Sequence, residues 1–208
     1  MGTHYLAPLF SPDGIALFGA SDREDAVGGI VFRNLLNSGY AGKAYPINPK
    51  RDEVQGQRAY RSLDDVKGAV DLAVIATPAE FVPDIVEQCG KHGVPMMLIL
   101  SAGFREVGPA GRKLEDRVMR RAREHGIRIM GPNCLGLIRP HEGINLTFGN
   151  SGALTGNVAL VSQSGAICTA ILDWAEQNSI GFSAVVSTGI GADLDFGDYL
   201  DYLVTDYR

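Results

Sequence analysis

The sequence predicts an α/β fold: an open, mostly parallel sheet covered on both faces by helices, followed by the start of a second unit of the same kind. Three observations carry this prediction. Short apolar runs suited to buried strands alternate with longer stretches of helical periodicity. Glycine, proline and small polar residues stand where those runs end. One turn-rich stretch, 139–156, with Pro140, Gly143, Gly149, Gly152 and Gly156, separates a long alternation from a short one.

The first strand is expected at 14–18, a continuous apolar run opening on Gly14. A helix follows over 27–39, where Val27, Val31 and Leu35 recur at spacing four and Gly39 stops it. Residues 43–47 form a second strand, with Pro46 marking an edge or a strand end. Residues 71–76 form the third. The next helix carries Phe81, Val82, Ile85, Val86 and Cys89 as a buried stripe. A fourth strand covers 95–100. A basic helix over 110–125 turns Leu114, Val118 and Ala122 inward, with Arg117, Arg120, Arg121, Arg123, Glu115, Asp116 and Glu124 on a solvated face. A fifth strand covers 127–130. After the loop-like stretch come a strand at 158–161, a helix at 165–178 and a strand at 182–187. That helix is expected to bury Ala166, Ile167, Ala170, Ile171 and Trp174. The domains read as 1–140, a linker at 141–156, and the first part of an incomplete domain at 157–208.

Composition bounds the function. Apolar residues make up 45% of the 208 and charged residues 21%, an ordinary globular balance. No apolar run approaches the ~20 residues of a membrane helix, and the start lacks a basic, then apolar, leader pattern. Neither a membrane nor a nucleic acid is an expected partner. Three scattered cysteines, Cys89, Cys134 and Cys168, make no zinc spacing and suit a reducing cytoplasm; no metal site is expected. Residues 153–208 hold seven acids and one base (1 − 7 = −6), the remainder 18 bases and 17 acids (18 − 17 = +1). A near-neutral first part can host a polyanion.

The candidate sites are turns at strand ends. Gly19-Ala20-Ser21-Asp22-Arg23 joins the first strand to a helix with Gly28 and Gly29 near its start. Such a turn aims free backbone N–H groups and the helix dipole at an anion, although a glycine turn here is also common in any α/β fold. The G-x-G-x-x-G pattern is absent. Lys50 follows the second strand where a NAD-binding protein would place a carboxylate, which favours a phosphate-bearing ribose, as in NADP or coenzyme A. Thr77-Pro78-Ala79 and Ser101-Ala102-Gly103 end the third and fourth strands, with small residues that admit a ligand or simply make a turn. Gly131-Pro132-Asn133-Cys134-Leu135-Gly136 follows the fifth. Ser162-Gln163-Ser164-Gly165 opens the second unit's helix: Ser164 suits an N-cap, and two hydroxyls beside a helix N-terminus suit a phosphate. A glycine turn capped by Asp193, Asp195 and Asp198 is preferred to a cation loop. His92 and His125 sit at predicted helix ends, His4 near a terminus and His141 in the boundary loop; none has the setting of a catalytic histidine.

Five of these turns in register resemble the succinyl-CoA synthetase α-like superfamily of NDP-forming acyl-CoA synthetases. Within it, Tyr5-Leu6, Leu9-Phe10-Ser11-Pro12, Arg33-Asn34-Leu35-Leu36, Tyr45 to Lys50 and Ile171-Leu172-Asp173-Trp174 resemble the N-terminal region of bacterial acyl-CoA synthetase-like proteins. Those include proteins fused to a GNAT-type lysine acetyltransferase; two-domain ADP-forming acetyl-CoA synthetases match nearly as well.

The resemblance implies a Rossmann-like CoA-binding domain followed by a truncated flavodoxin-like domain. It implies a CoA or acyl-CoA site at Gly19, Ala20, Ser21, Asp22, Arg23, Lys50, Thr77, Pro78, Ala79, Ser101, Ala102, Gly103, Asn133 and Cys134. A phosphate site is implied at Ser162, Gln163, Ser164 and Gly165. The implied reaction forms acyl-CoA through acyl-phosphate and phosphohistidine. The phosphohistidine and the ATP, ADP and Mg²⁺ sites belong to other parts, an ATP-grasp domain or β-subunit in cis or trans, and the assembly is expected to be oligomeric. Two alternatives stand beside it: a CoA-binding regulatory region of a lysine acetyltransferase, and an NADP-binding sensor module.

Overall fold

The computed structural model describes residues 4–206; the first three residues of the leader reading, and Arg208 of the charge count, lie outside them. The elements run α1 (Ala7–Phe10), β1 (Gly14–Phe18), α2 (Val27–Asn37), β2 (Lys43–Ile47), β3 (Glu53–Val54), β4 (Gln57–Arg58), β5 (Leu72–Ile75) and α3 (Val82–Lys91). They continue β6 (Met96–Ile99), α4 (Pro109–His125), β7 (Arg128–Met130), β8 (Gly136–Arg139), β9 (Ile144–Asn145), β10 (Thr155–Ser162), α5 (Gly165–Gln177), β11 (Phe182–Ser187) and α6 (Phe196–Thr205).

The first sheet is all parallel, in the order β2-β1-β5-β6-β7. Its strands are buried on both faces, which is why they read as unbroken apolar runs. Alternate residues feed two cores. Leu17, Val74 and Leu98 face α1 and α2. Phe18, Ile75 and Ile99 face α3 and α4. The chain leaves β1 toward β2 on one side and returns to β5 on the other. The carboxyl ends of β1 and β5 therefore flank a topological switch point, where open α/β sheets bind ligands.

The second sheet, β10-β11-β8-β9, is mixed. Strands β10 and β11 are parallel; β8 runs antiparallel to β11 and β9 antiparallel to β8. The sequence reading missed β8 and β9. Gly136–Arg139 lies before the expected boundary yet pairs within the second sheet. One apolar cluster spans both sheets, joining Leu17 and Phe32 to Leu137, Leu146 and Val186. Arg139, fully buried, pairs with Asp206 at 2.5 Å and lies over the Phe10 ring.

Several expected faces are corrected. In α5 the buried stripe is Cys168, Leu172 and Ala175, while Ile167 and Trp174 are exposed. The helix is apolar on two sides, and periodicity cannot choose between them. Phe81 and Val27 are exposed rather than core. In α4, Glu115 is buried: its carboxylate accepts from Arg105 Nε at 2.7 Å.

Candidate functional site

The turn after β1 is built by close approach. A Cβ on Gly29 would meet the carbonyl of Arg23 at 2.1 Å, so only glycine lets the start of α2 fold against the turn. Ser21 Oγ accepts from the Arg23 amide at 3.1 Å. The turn is fastened from two sides. Asn48 donates its Nδ2 to the carbonyl of Ala20 at 2.8 Å, while its Oδ1 accepts from the Lys50 amide at 2.9 Å. Gln55, in the β3–β4 turn, donates Nε2 to the carbonyls of Ser21 and Gly29, each at 2.8 Å, and its amide donates to Asp22 Oδ1 at 2.8 Å. The sequence reading missed Gln55. A short polar hairpin carries no apolar periodicity, and its role appears only through contacts 26 to 34 residues away.

Lys50 and Arg23 are both exposed at this end. Arg23 forms an ion pair with Asp25, at 3.2 Å from Nε and 2.9 Å from Nη2. Asp22 is spent on the Gln55 amide.

A cleft of about 440 Å³ opens beside the turn. Thr77, Pro78, Ser101, Ala102 and Asn133 line it, with Val27 from α2 and Phe148 from the β9–β10 loop. Thr77 Oγ1 is buried there without a hydrogen-bond partner. Ser101 donates its hydroxyl to the Thr77 carbonyl at 2.5 Å, and the Asn133 amide donates to the Ser101 carbonyl at 3.0 Å. The three strand-end turns are thus locked to one another. Ala79 and Cys134 are buried behind the cleft, and Gly103 lies outside its lining. Burial pushes the Cys134 thiol up to about 12. A second cavity of about 340 Å³, lined by Asn34, Ser38 and Asn145 among others, has no charged group to meet a phosphate.

The Gly131–Gly136 loop also reaches the second unit. The Leu135 amide donates to Ser187 Oγ at 3.1 Å, and a Cβ on Gly165 would lie 3.0 Å from that of Leu135. The Ser162–Gly165 turn therefore sits on the far side of the loop that lines the cleft. Ser164 caps α5 through the Ile167 amide at 3.3 Å, and Ser162 Oγ accepts from the Ser164 amide at 3.2 Å. Gln163 is exposed.

Of the acids after β11, Asp195 and Asp198 cap α6 as expected, while Asp193 instead holds the start of β7. Asp195 accepts from the amides of Gly197 and Asp198, at 2.7 and 3.1 Å. Asp193 accepts from Arg128 Nε and the Ile129 amide, at 2.8 and 2.9 Å. Among the described residues, no three His, Cys, Asp or Glu side chains converge as a metal site, and no helix is long and apolar enough to cross a membrane. The four histidines pair elsewhere: His4 with Asp201, His92 with Asp64, His125 with Glu87, and His141 with the Gly156 carbonyl.

A helix N-terminus beside a mainly small-residue cleft at the switch point of a parallel sheet is the arrangement in which doubly wound α/β domains hold nucleotide-type ligands. The CoA binding domain family matches residues 13–140, and the succinyl-CoA ligase-like flavodoxin domain family matches residues 155–208. This chain belongs to the CoA-binding domain family, within the NDP-forming acyl-CoA synthetase superfamily.

Among its relatives is the α-subunit of ADP-forming acetate–CoA ligase I of Pyrococcus furiosus, 42% identical over 97% of this chain and 44% of the relative. The ADP-forming acetate–CoA ligase of Methanocaldococcus jannaschii is 45% identical over 94% of this chain and 27% of the relative. The solved acetyl-coenzyme A synthetase 1 of Ca. Korarchaeum cryptofilum, in complex with phosphate and ADP, superposes with a TM-score of 0.93 at 42% identity. That match covers 97% of this chain and 43% of the solved one. This chain thus spans less than half the length of each. These relatives support a ligase portion and lend nothing to an attached acetyltransferase; the family selects coenzyme A over a nicotinamide dinucleotide.

Proposed function

We propose that this chain binds coenzyme A and its thioesters as the CoA-binding portion of an ADP-forming acyl-CoA synthetase of the acetate–CoA ligase type. One observation carries the reading: the cleft at the switch point and the Ser162–Gly165 turn share the Gly131–Gly136 loop. A CoA laid along the carboxyl edge would place its diphosphate at the α2 N-terminus and its ribose phosphate toward Lys50. Its pantetheine arm would follow the cleft toward Asn133. The thiol would then emerge beside a turn suited to phosphate, as attack of a thiolate on an acyl phosphate requires.

In this reading the phosphohistidine step and the ATP, ADP and Mg²⁺ sites are supplied by an ATP-grasp domain or partner subunit, in cis or trans. The domain division, 1–140, a linker at 141–156 and a partial flavodoxin-like unit at 157–208, belongs to the same proposal. So do a cytoplasmic setting and an oligomeric assembly. The free edge of β10 and the exposed Ile167 and Trp174 of α5 would be covered by the rest of that unit.

The test is a parallel calorimetric titration with CoA, acetyl-CoA, NAD and NADP. Saturable binding of CoA or acetyl-CoA alone is expected, with K50A and R23A weakening it. Dinucleotide binding without CoA binding would overturn the proposal, and unchanged affinity in both variants would remove the assigned phosphate contacts.

A further inference from the structure

Phe148 is the one large aromatic side chain in the cleft lining, and the residue is 36% exposed. Its backbone, by contrast, is held on both sides. Asn34, on α2, donates Nδ2 to the carbonyls of Thr147 and Gly149, at 2.8 and 3.0 Å. Asn145 Oδ1 accepts from the Thr147 amide at 3.1 Å and from its hydroxyl at 2.7 Å. Thr147 is fully buried. A ring left open to water on so fixed a loop is preorganised: ordering it costs little when a ligand arrives. Val27, exposed on α2, adds a second apolar surface to the same cleft.

We propose that Phe148 is the apolar contact for the pantetheine arm of a bound CoA thioester, and that Asn34 is the positioning residue that holds it there. The inference rests on the CoA reading above. The arm alternates two amides with methylenes and a geminal dimethyl group. Its amides would pass the polar lining at Ser101 and Asn133. Its apolar segments need a broad surface, and Phe148 is the largest apolar side chain in a lining that otherwise offers Val27, Pro78 and Leu100. Asn34 sits on the helix whose N-terminus would hold the diphosphate, so one helix sets both the anchor and the aromatic contact.

The test uses the full chain and two probes: CoA, and adenosine 3′,5′-bisphosphate, which has the nucleotide end without the arm. Phe148→Ala should weaken CoA about tenfold and leave the bisphosphate unchanged, while Phe148→Leu recovers most of the loss. Asn34→Ala should weaken CoA several-fold, and adding it to Phe148→Ala should cost nothing more, because both act through one ring. Unchanged CoA affinity in a folded Phe148→Ala protein, or an equal loss for both probes, overturns the proposal. If Phe148→Ala does not fold, a wild-type ratio of the two affinities in both Phe148→Leu and Asn34→Ala overturns it. A wild-type chain that binds neither probe overturns the CoA reading itself, and a wild-type chain that binds both isolates the fate of Phe148.

Discussion

The carbonyl oxygen of Gly19 lies 2.0 Å from where a Cβ on Gly28 would stand. The end of β1 and the start of α2 are therefore in backbone contact, beside the cleft that Val27 helps to line. Gly28→Ala must force these elements apart. We expect a loss of about 2 kcal/mol in denaturant unfolding, typical of overpacking, together with loss of CoA binding. An alanine variant that keeps both stability and affinity would show that the close approach positions nothing.

Arg105 and Glu115 tie the turn after β6 to α4. Glu115 is buried while Arg105 is partly exposed, so removing the arginine leaves a carboxylate without its cation in the interior. Arg105→Ala should destabilise the fold by about 2 kcal/mol, below the range for fully buried pairs because water reaches the guanidinium. Equal urea midpoints for wild type and variant would refute this.

How far the sequence was legible follows from where each element gets its stability. Residues 14–18, 71–76 and 95–100 are apolar throughout because both faces of a parallel sheet are covered, so their own composition reveals them. The turns at Thr77 and Ser101 were legible for the same reason, as small residues at the ends of those runs. Strand β8 was not. It holds only Leu137 and Ile138 between a glycine and an arginine, and it exists because it pairs with β11, some 50 residues away. Glu115 reads as surface until Arg105 is seen beside it. Phe148 and Asn34 are 114 positions apart (148 − 34 = 114) and meet only in three dimensions.

Acid should loosen the junction between the N-terminus and α6. Burial alone would raise the Asp198 carboxyl, but the Tyr5 hydroxyl, the Asp195 amide and the Arg128 guanidinium outweigh it and hold the group below its usual range. His4 adds to that pull. A carboxyl lowered on folding contributes stability above its unfolded pKa, about 3.9, and loses it as pH falls through the folded value. The melting temperature should therefore drop more steeply below about pH 4 in wild type than in Asp198→Asn. Parallel curves would assign the acid sensitivity elsewhere.

The thiols should be silent in the native protein. Burial pushes both Cys89 and Cys134 up to about 12, and it raises Cys168 as well. All three are free and buried. A chromogenic disulfide at pH 8 should react slowly with the folded chain and with three thiols after denaturation. A fast native reaction at Cys134 would show a reactive thiol behind the cleft and overturn this.

Strands β8 and β9 lie in the chain ahead of β10, yet β8 is laid against β11 and β9 against β8. A cut in the turn-rich stretch after β9 would carry two strands of the second sheet away on the wrong fragment. The seam that divides neither main sheet falls earlier, at 131–135, inside the loop between β7 and β8 that lines the cleft. Gene fusions, split-protein reporters or transplanted CoA modules drawn from this chain should therefore carry both sheets, because a join at that loop parts Phe148 from the rest of the cleft.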